Sequence, residues 1–362
     1  MTYQRHLVKP DGRSLYLYSR RPIDPALTAP SPVATPVALS AHLRWHPLRG
    51  EWVAYAAHRQ DRTFLPPKEF NPLAPMRNPE QPTELPAGDY DVAVLDNLFP
   101  ALSSHVGPPP QIAHTRTAKA DGACEVVVFT QDSETSLGRL PLEHIALVVE
   151  VLGERTVELA KRPGIRYVMP FENRGTEVGV TLHHPHGQIY AYPFVPPVAQ
   201  RELDMQRAYF EEHHTSLIGT MVTNELSDGR RVLFEGPEVA AFVPVCARYP
   251  YEVMIAPRRR LPSLAALTPD ERLDFARAIK TVLLKFDGLW QRPFPYLMVF
   301  HQAPSDEAAH PWAHLHVELY PPYRSRDRLK FLAGTELGAG MFANDRLPED
   351  TARELNEVRV EL

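Results

Sequence analysis

The stretch GVTLHHPHGQIYAYPF, residues 179–194, carries three histidines, two glycines and a glutamine in a run with the aromatic and apolar character of a β-strand. Side chains alternate between the two faces of a strand, so His184, His186 and Gln188 project to one side and Gly187 to the other. One face therefore presents two imidazoles and an amide in a row. This pattern predicts a functional site.

The residue types in this stretch favour phosphoryl chemistry. Pro185 cannot donate to a sheet ladder and Gly187 has no side chain, which predicts a strand end that is open to a substrate. An imidazole with one nitrogen held by a hydrogen bond presents the other as a nucleophile, and Gln188 can donate to an oxygen that gains negative charge. Two alternatives stay open. The first is a metal held by His184 and His186, although a metal site would not explain the presence of Gly187 and Gln188. The second is a packed core.

The order of elements around this stretch occurs twice along the chain. Each copy reads as strand, helix, strand and histidine-bearing strand: 124–131, 141–164, 165–175 and 179–194, then 251–257, 268–286, 295–304 and 314–322. Corresponding residues have nearly constant spacing: 127 residues for Glu125 and Glu252, 128 for Pro141 and Pro269, and 130 for His184 and His314. The repeat indicates a duplicated unit.

The fold prediction follows from this repeat. Thr268, Pro269 and Glu271 give the second helix a capping box with proline at its first position. We predict an α+β fold in which two similar halves, 1–194 and 195–362, share a mainly antiparallel sheet with flanking helices.

Composition excludes several classes of protein. The chain has 39 basic and 44 acidic residues and a formal charge of -5, which argues against a nucleic-acid or membrane-surface binder. Apolar runs never reach the roughly 18 residues of a membrane span, and the N-terminus lacks a signal-peptide core, so we expect a cytoplasmic protein. Cys124 and Cys246 lie in apolar, strand-like contexts without a CxxC partner, which predicts buried free thiols.

Five motifs carry a resemblance to a known family. They are HPHGQIY (184–190), FENRG (171–175), HRQDR (58–62), HLHVELYPP (314–322) and LKFLAGTELGAGMF (329–342). Together they resemble the galactose-1-phosphate uridylyltransferase branch of the histidine-triad superfamily, over residues 43–348. The resemblance implies duplicated histidine-triad-like halves and a ping-pong exchange. A histidine takes uridylyl from UDP-glucose and passes it to galactose 1-phosphate.

The resemblance also implies roles for individual residues. His186 matches the nucleophile, Gln188 the phosphoryl-binding glutamine, and His184 a residue that orients the nucleophile's loop. The other positions that match substrate-binding residues are Arg59 and Arg62 for phosphate, Phe64, Asn97 and Phe99 for uridine, and Asn173 and Thr181 for phosphate and sugar. Lys330 and Glu336 match a segment that completes the site of a partner subunit, which implies a homodimer with shared sites. For the two arginines, a solvated basic loop is the alternative reading.

The resemblance implies two metal sites, and this sequence keeps the ligand residues of one of them better than those of the other. Many relatives bind zinc near the nucleophile through two cysteines, a histidine and the equivalent of His184. Here Thr63, Pro66 and Ser133 occupy the first three positions, so we expect no zinc there.

The second site is better preserved. Glu202, His301 and His316 match its ligands, and Glu318 occupies the fourth position, with His314 as the alternative. Such nitrogen and carboxylate ligands suit zinc or iron in a single structural site. A purely hydrogen-bonded histidine cluster is the alternative.

Two other functions remain open from the sequence. An adenylyltransferase or phosphorylase that uses ADP-glucose would share the histidine chemistry, and a nucleotide-binding module would have no catalysis at all. The motif HPHGQ together with the arginine pair favours the transferase.

Overall fold

A large antiparallel sheet organises the chain in the computed structural model, which describes residues 2–62, 64–306 and 308–362. The strands are β1 (Tyr3–Val8), β2 (Ser14–Ser19), β3 (His42–His46), β4 (Glu51–Tyr55), β5 (Val92–Asp96), β6 (Thr117–Lys119), β7 (Ala123–Val128), β8 (Tyr167–Arg174), β9 (His186–Tyr192), β10 (Val232–Glu235), β11 (Val239–Phe242), β12 (Val253–Pro257), β13 (Tyr296–His301), β14 (His316–Tyr320), β15 (Tyr323–Ser325) and β16 (Arg328–Leu329). The helices are α1 (Leu142–Ala160), α2 (Pro197–His213), α3 (Leu217–Asp228), α4 (Pro269–Leu289) and α5 (Pro348–Glu357).

The strand order confirms the predicted fold class. Eleven strands form the main sheet in the order β1-β2-β5-β7-β9-β8-β13-β14-β12-β11-β10, while β4-β3-β6 and β15-β16 form two small sheets. The two copies meet where β8 pairs with β13, and the strands on either side follow in mirrored order: β9, β7, β5 and β14, β12, β11. One sheet thus runs through both copies. The division at residues 194 and 195 remains a prediction.

The helices of the two copies cover one face of this sheet. In α1 the apolar residues Ile145, Val148 and Leu152 recur every three or four positions and are buried, which is the pattern of a helix with one core-facing stripe. They share a core with Val127 and Ile189 of the sheet and with α4. The opposite face is covered by the β4-β3-β6 sheet, α2 and α3. It carries the candidate site residues of both copies.

The start of α4 matches its sequence signal. The Thr268 side chain accepts a hydrogen bond from the Glu271 backbone N–H, and the Glu271 carboxylate accepts one from the Thr268 N–H. Pro269 is the first helical residue. The predicted capping box is therefore confirmed.

Three expectations from the sequence are wrong. The strand β9 is central, paired with β7 and β8 on either side, and is not open along its length. Gly187 faces the helix layer, where an added Cβ would lie 2.8 Å from the Phe129 ring and 2.9 Å from the Phe171 carbonyl oxygen, so close packing rather than ligand access requires a glycine. Cys124 is buried as expected, but Cys246 is exposed.

Within the part of the chain that the structure describes, every helix is too short or too polar to cross a bilayer.

Candidate active site

The first residue of β9, His186, has one ring nitrogen fixed. Its Nδ1 lies 2.7 Å from the carbonyl oxygen of His184. Since a carbonyl only accepts, Nδ1 carries the proton and Nε2 keeps its lone pair. Burial lowers the pKa of His186 below its ordinary value, although the bond to the His184 carbonyl opposes that shift. The ring is therefore neutral and nucleophilic near pH 7.

Gln188 follows His186 on the same face of β9. It pairs in register with Phe171 of β8 and Val126 of β7. Its amide makes no hydrogen bond to any residue within 2–62, 64–306 and 308–362, and it is half-buried. The amide is therefore available to a ligand on the His186 side of the sheet, and its role in binding a phosphoryl group stays a prediction.

Arg59 is anchored to the same face. Its Nη1 donates to the Phe99 carbonyl at 3.1 Å and to the Tyr190 hydroxyl at 3.2 Å. Tyr190 continues the series begun by His186 and Gln188 on alternate residues of β9. A solvated basic loop would not make these contacts. Tyr190 was not predicted as a site residue, although the alternation of the strand was a signal that could have found it.

Arg62 lies beside Arg59 and is exposed. Its Nε donates to the Arg59 carbonyl at 3.0 Å. Partial loss of hydration and the neighbouring Arg59 charge both lower the pKa of Arg62. Two arginines three residues apart, with the Arg62 side chain bonded to the Arg59 main chain, suit a multiply charged phosphate ligand.

The residues predicted for uridine lie next to these arginines but do not form a closed cluster. Asn97 accepts a hydrogen bond from the Phe99 N–H at 2.9 Å and borders a cavity of about 550 Å³. The Phe64 side chain is 69% exposed. The Thr181 carbonyl accepts from the Leu65 N–H at 2.8 Å, which ties the Phe64 segment to the loop before His186.

Asn173 belongs to the same surface. It lies two residues beyond Phe171 on β8 and therefore shares the face of Gln188. Asn173 is half-buried, and it pairs with Leu297 where the two copies meet.

A second cluster occupies the same face in the other copy. Glu202 of α2, His301 of β13 and His316 of β14 have donor atoms within 4.8 Å of one another. Glu202 Oε2 lies 2.8 Å from His301 Nδ1 and 3.7 Å from His316 Nε2. The short contact between Glu202 Oε2 and His301 Nδ1 does not have the geometry of a hydrogen bond, so Glu202 Oε2 and both His301 nitrogens are buried without a hydrogen-bond partner among the described residues. Buried nitrogen and oxygen atoms that lack hydrogen-bond partners and lie this close together are suitable ligands for a transition metal.

Neither candidate for the fourth ligand belongs to this group. The Glu318 carboxylate lies 3.4 Å from His301 Nε2, but it also pairs with the Arg248 guanidinium at 3.3 Å. The fourth ligand therefore stays a prediction, with Glu318 approaching His301 while it also pairs with Arg248.

His314 is turned away from the cluster. Its Nδ1 contacts the Ser216 hydroxyl at 2.8 Å and its Nε2 the Pro257 carbonyl at 3.0 Å. Burial and the nearby His316 lower the pKa of His314 to about 4. With both nitrogens in use, the ring has no lone pair left for a metal.

Comparisons with known proteins agree with this geometry. The family model for the N-terminal domain of galactose-1-phosphate uridyl transferase matches residues 33–196, and that for the C-terminal domain matches residues 202–361. The galactose-1-phosphate uridylyltransferase of Thermotoga maritima is 38% identical over 88% of this chain and 99% of that protein. The chain belongs to the galactose-1-phosphate uridylyltransferase family. The predicted resemblance and the predicted class of nucleotidyltransferase are both confirmed.

Solved structures support the same assignment. A uridylyltransferase structure is similar with a TM-score of 0.77 and 33% identity, covering 87% of this chain and 97% of that chain. An ADP-glucose phosphorylase from Arabidopsis thaliana with bound ADP-glucose has a TM-score of 0.65 and 24% identity, over 89% of this chain and 100% of that chain. The second likeness shows a common fold alone.

Two of the three positions at which the sequence lacks zinc ligands, Pro66 and Ser133, lie near His184. Pro66 and Ser133 border a cavity of about 280 Å³ together with His184, while Thr63 lies outside the described residues. His184 Nδ1 is 2.9 Å from the Asn71 amide nitrogen, and its Nε2 is 2.7 Å from the Thr130 carbonyl oxygen. Hydrogen bonds therefore hold this ring.

The predicted partner-site residues Lys330 and Glu336 contact each other. Lys330 Nζ and the Glu336 carboxylate pair at 3.3 Å, and Glu336 also accepts from the Ala333 N–H at 3.0 Å. Backbone N–H groups, that of Ala333 first, lower the pKa of Glu336 to about 2. Among the described residues, neither side chain has a hydrogen bond or ion pair to His186 or Gln188.

Proposed function

We propose that this chain transfers uridylyl from UDP-glucose to galactose 1-phosphate through a uridylyl-His186 intermediate. Membership of the galactose-1-phosphate uridylyltransferase family establishes the reaction class. The observation that carries the residue assignment is the His186 ring, which is held through Nδ1 so that Nε2 keeps its lone pair beside Gln188. This arrangement provides what a covalent phosphoryl transfer needs.

In the first step, Nε2 of His186 attacks the α-phosphorus of UDP-glucose. The bond from that phosphorus to the bridging oxygen breaks, and glucose 1-phosphate leaves with the electron pair. The ring now carries a positive charge, which the His184 carbonyl stabilises because it accepts the Nδ1 proton. Gln188 and the guanidinium groups of Arg59 and Arg62 stabilise the negative charge on the phosphoryl oxygens.

In the second step, a phosphate oxygen of galactose 1-phosphate attacks the same phosphorus. The P–N bond breaks, its electron pair returns to Nε2, and UDP-galactose leaves. His186 regains its starting tautomer without any net proton transfer. We assign Phe64, Asn97 and Phe99 to the nucleoside and Asn173 with Thr181 to the phosphate and sugar.

The second cluster holds a structural ion in this proposal. Zinc or iron bound by Glu202, His301 and His316 would link α2 to β13 and β14, which gives the metal a cross-linking role. We assign no zinc to the surroundings of His184, since both of its nitrogens are hydrogen-bonded.

We further propose that the protein is a cytoplasmic homodimer with shared sites. The segment that contains Lys330 and Glu336 also exposes three large apolar side chains: Phe331 by 77%, Leu337 by 65% and Met341 by 65%. Apolar groups concentrated in one exposed segment favour burial against another protein surface. Packed on a second copy, this segment would bring Lys330 and Glu336 to the partner's sugar site.

Labelling separates this function from its alternatives. UDP-glucose with radioactive α-phosphorus should leave an acid-labile label on the protein, and galactose 1-phosphate should remove it as UDP-galactose. A nucleotide-binding module would take up no covalent label. Faster labelling from ADP-glucose, with phosphate as the acceptor, would favour the phosphorylase instead.

A further inference from the structure

Asn71 lies in the loop beside His184 and has two hydrogen bonds that point in different directions. Its Oδ1 accepts from the Leu73 backbone N–H at 3.0 Å, and its Nδ2 lies 2.9 Å from His184 Nδ1. Because Oδ1 is occupied by a backbone donor, the amide group that faces His184 is the NH₂. His184 Nδ1 is therefore the acceptor in this contact.

A second contact requires the same tautomer of His184. Its Nε2 lies 2.7 Å from the Thr130 carbonyl oxygen, which can only accept, so Nε2 carries the proton. The amide of Asn71 and the carbonyl of Thr130 thus act from opposite sides of one ring. Both favour a neutral imidazole protonated at Nε2.

The main chain of His184 connects this ring to the nucleophile. The His184 carbonyl accepts from His186 Nδ1 at 2.7 Å, and the next carbonyl, that of Pro185, accepts from the Phe129 N–H at 3.1 Å. Rotation of the His184 ring away from Thr130 would remove one of the contacts that hold the loop presenting this carbonyl to His186. The orientation of the His186 lone pair therefore depends on how firmly His184 is held.

We propose that Asn71 is a positioning residue of the transferase. It fixes the tautomer and the orientation of His184, and His184 in turn fixes His186 with Nε2 directed at the phosphorus. The inference rests on the proposed function of His186. It assigns to a side-chain amide the task of holding this loop.

The second copy provides the reason for a stringent test. There the Ser216 hydroxyl lies 2.8 Å from His314 Nδ1, the Pro257 carbonyl 3.0 Å from His314 Nε2, and the His314 carbonyl 2.9 Å from His316 Nδ1. The same arrangement thus occurs in the second copy, which has no glycine or glutamine at the positions that correspond to Gly187 and Gln188. A purely structural role for Asn71 must therefore be separated from a positioning role.

The substitution Asn71→Asp makes that separation. It keeps an acceptor for the Leu73 N–H but replaces the donor to His184 with a second acceptor. His184 must then take up a second proton or lose its bond to Thr130. Asn78→Asp is the matched control, because Asn78 is exposed and accepts in the same way from the Glu80 N–H at 3.0 Å.

We expect Asn71→Asp to slow uridylyl-enzyme formation by about 10- to 100-fold, with little change in the KM for UDP-glucose, because the nucleophile is misplaced while the donor site is intact. Nitrogen-15 NMR of histidine-labelled protein should show His184 protonated at Nε2 alone in the wild type. It should show a second or a relocated proton in Asn71→Asp. Asn78→Asp should match the wild type in both measurements.

A His186→Gly background completes the test. Added imidazole supplies a nucleophile that is not tied to His184, so His186→Gly with and without Asn71→Asp should be rescued at equal rates. Slower rescue in the double variant would show a general structural defect and overturn the inference. So would a wild-type rate of adduct formation in Asn71→Asp. Label retained by His186→Ala would overturn the proposed function and, with it, this inference.

Discussion

At the scale of single residues, the proposed transfer depends on the lone pair of His186 Nε2. We expect His186→Ala to abolish both the covalent label and the transfer, while the melting temperature stays near that of the wild type, because the side chain is only half-buried and its one hydrogen bond goes to a local carbonyl. Radiolabelling and thermal unfolding measure the two effects. More than a few per cent of residual transfer would contradict the assignment.

The pH dependence of this residue is also set by its surroundings. The reactive form of His186 is neutral, and burial lowers its pKa below the ordinary value of about 6.5. Protonation should therefore remove activity only at a pH below about 6.5. The single-turnover rate of labelling, followed from pH 8 downward, should fall with a midpoint below that value. A fall already centred above it would show that His186 is not shielded in this way.

At the scale of elements, the sequence predicts the repeated unit but not the partners of each strand. Alternation along β9 correctly places His186 and Gln188 on one face, and the capping residues correctly start α4 at Pro269. Which strands flank β9 depends on segments distant in sequence, so its central position was missed. Likewise, Glu318 pairs with Arg248, which precedes it by 70 residues, and no local pattern encodes that contact.

The packing around Gly187 also depends on a strand distant in sequence, and it can be tested by substitution. An added methyl group would lie within 3 Å of the Phe129 ring and the Phe171 carbonyl, and the carbonyl belongs to the adjacent strand. We expect Gly187→Ala to destabilise the fold by about 1–3 kcal/mol through overpacking. Gly107→Ala is the control, because an added Cβ there has nothing within 4 Å. Equal denaturant midpoints for the two variants would refute the packing explanation.

At the scale of the whole molecule, the candidate metal cluster and the proposed nucleophile lie on the same face of the sheet but in different copies. We expect at most one metal equivalent per chain by elemental analysis, held by Glu202, His301 and His316. Its removal by a chelator should lower the melting temperature more than the turnover, because the ion links α2 to two strands and lies apart from His186. Two equivalents would show that metal also binds near His184, and none would show a hydrogen-bonded cluster only.

The proposed dimer makes the most demanding prediction for the whole molecule. If each active site combines His186 of one chain with Lys330 of the other, His186→Ala and Lys330→Ala should each be inactive as homodimers. A mixed dimer would contain one site with both residues intact and one with neither. Denaturing the two variants together and refolding them should therefore restore activity, whereas mixing them without subunit exchange should not. Unchanged activity of Lys330→Ala alone, or no recovery after subunit exchange is verified by differently tagged chains, would show that the sites are not shared.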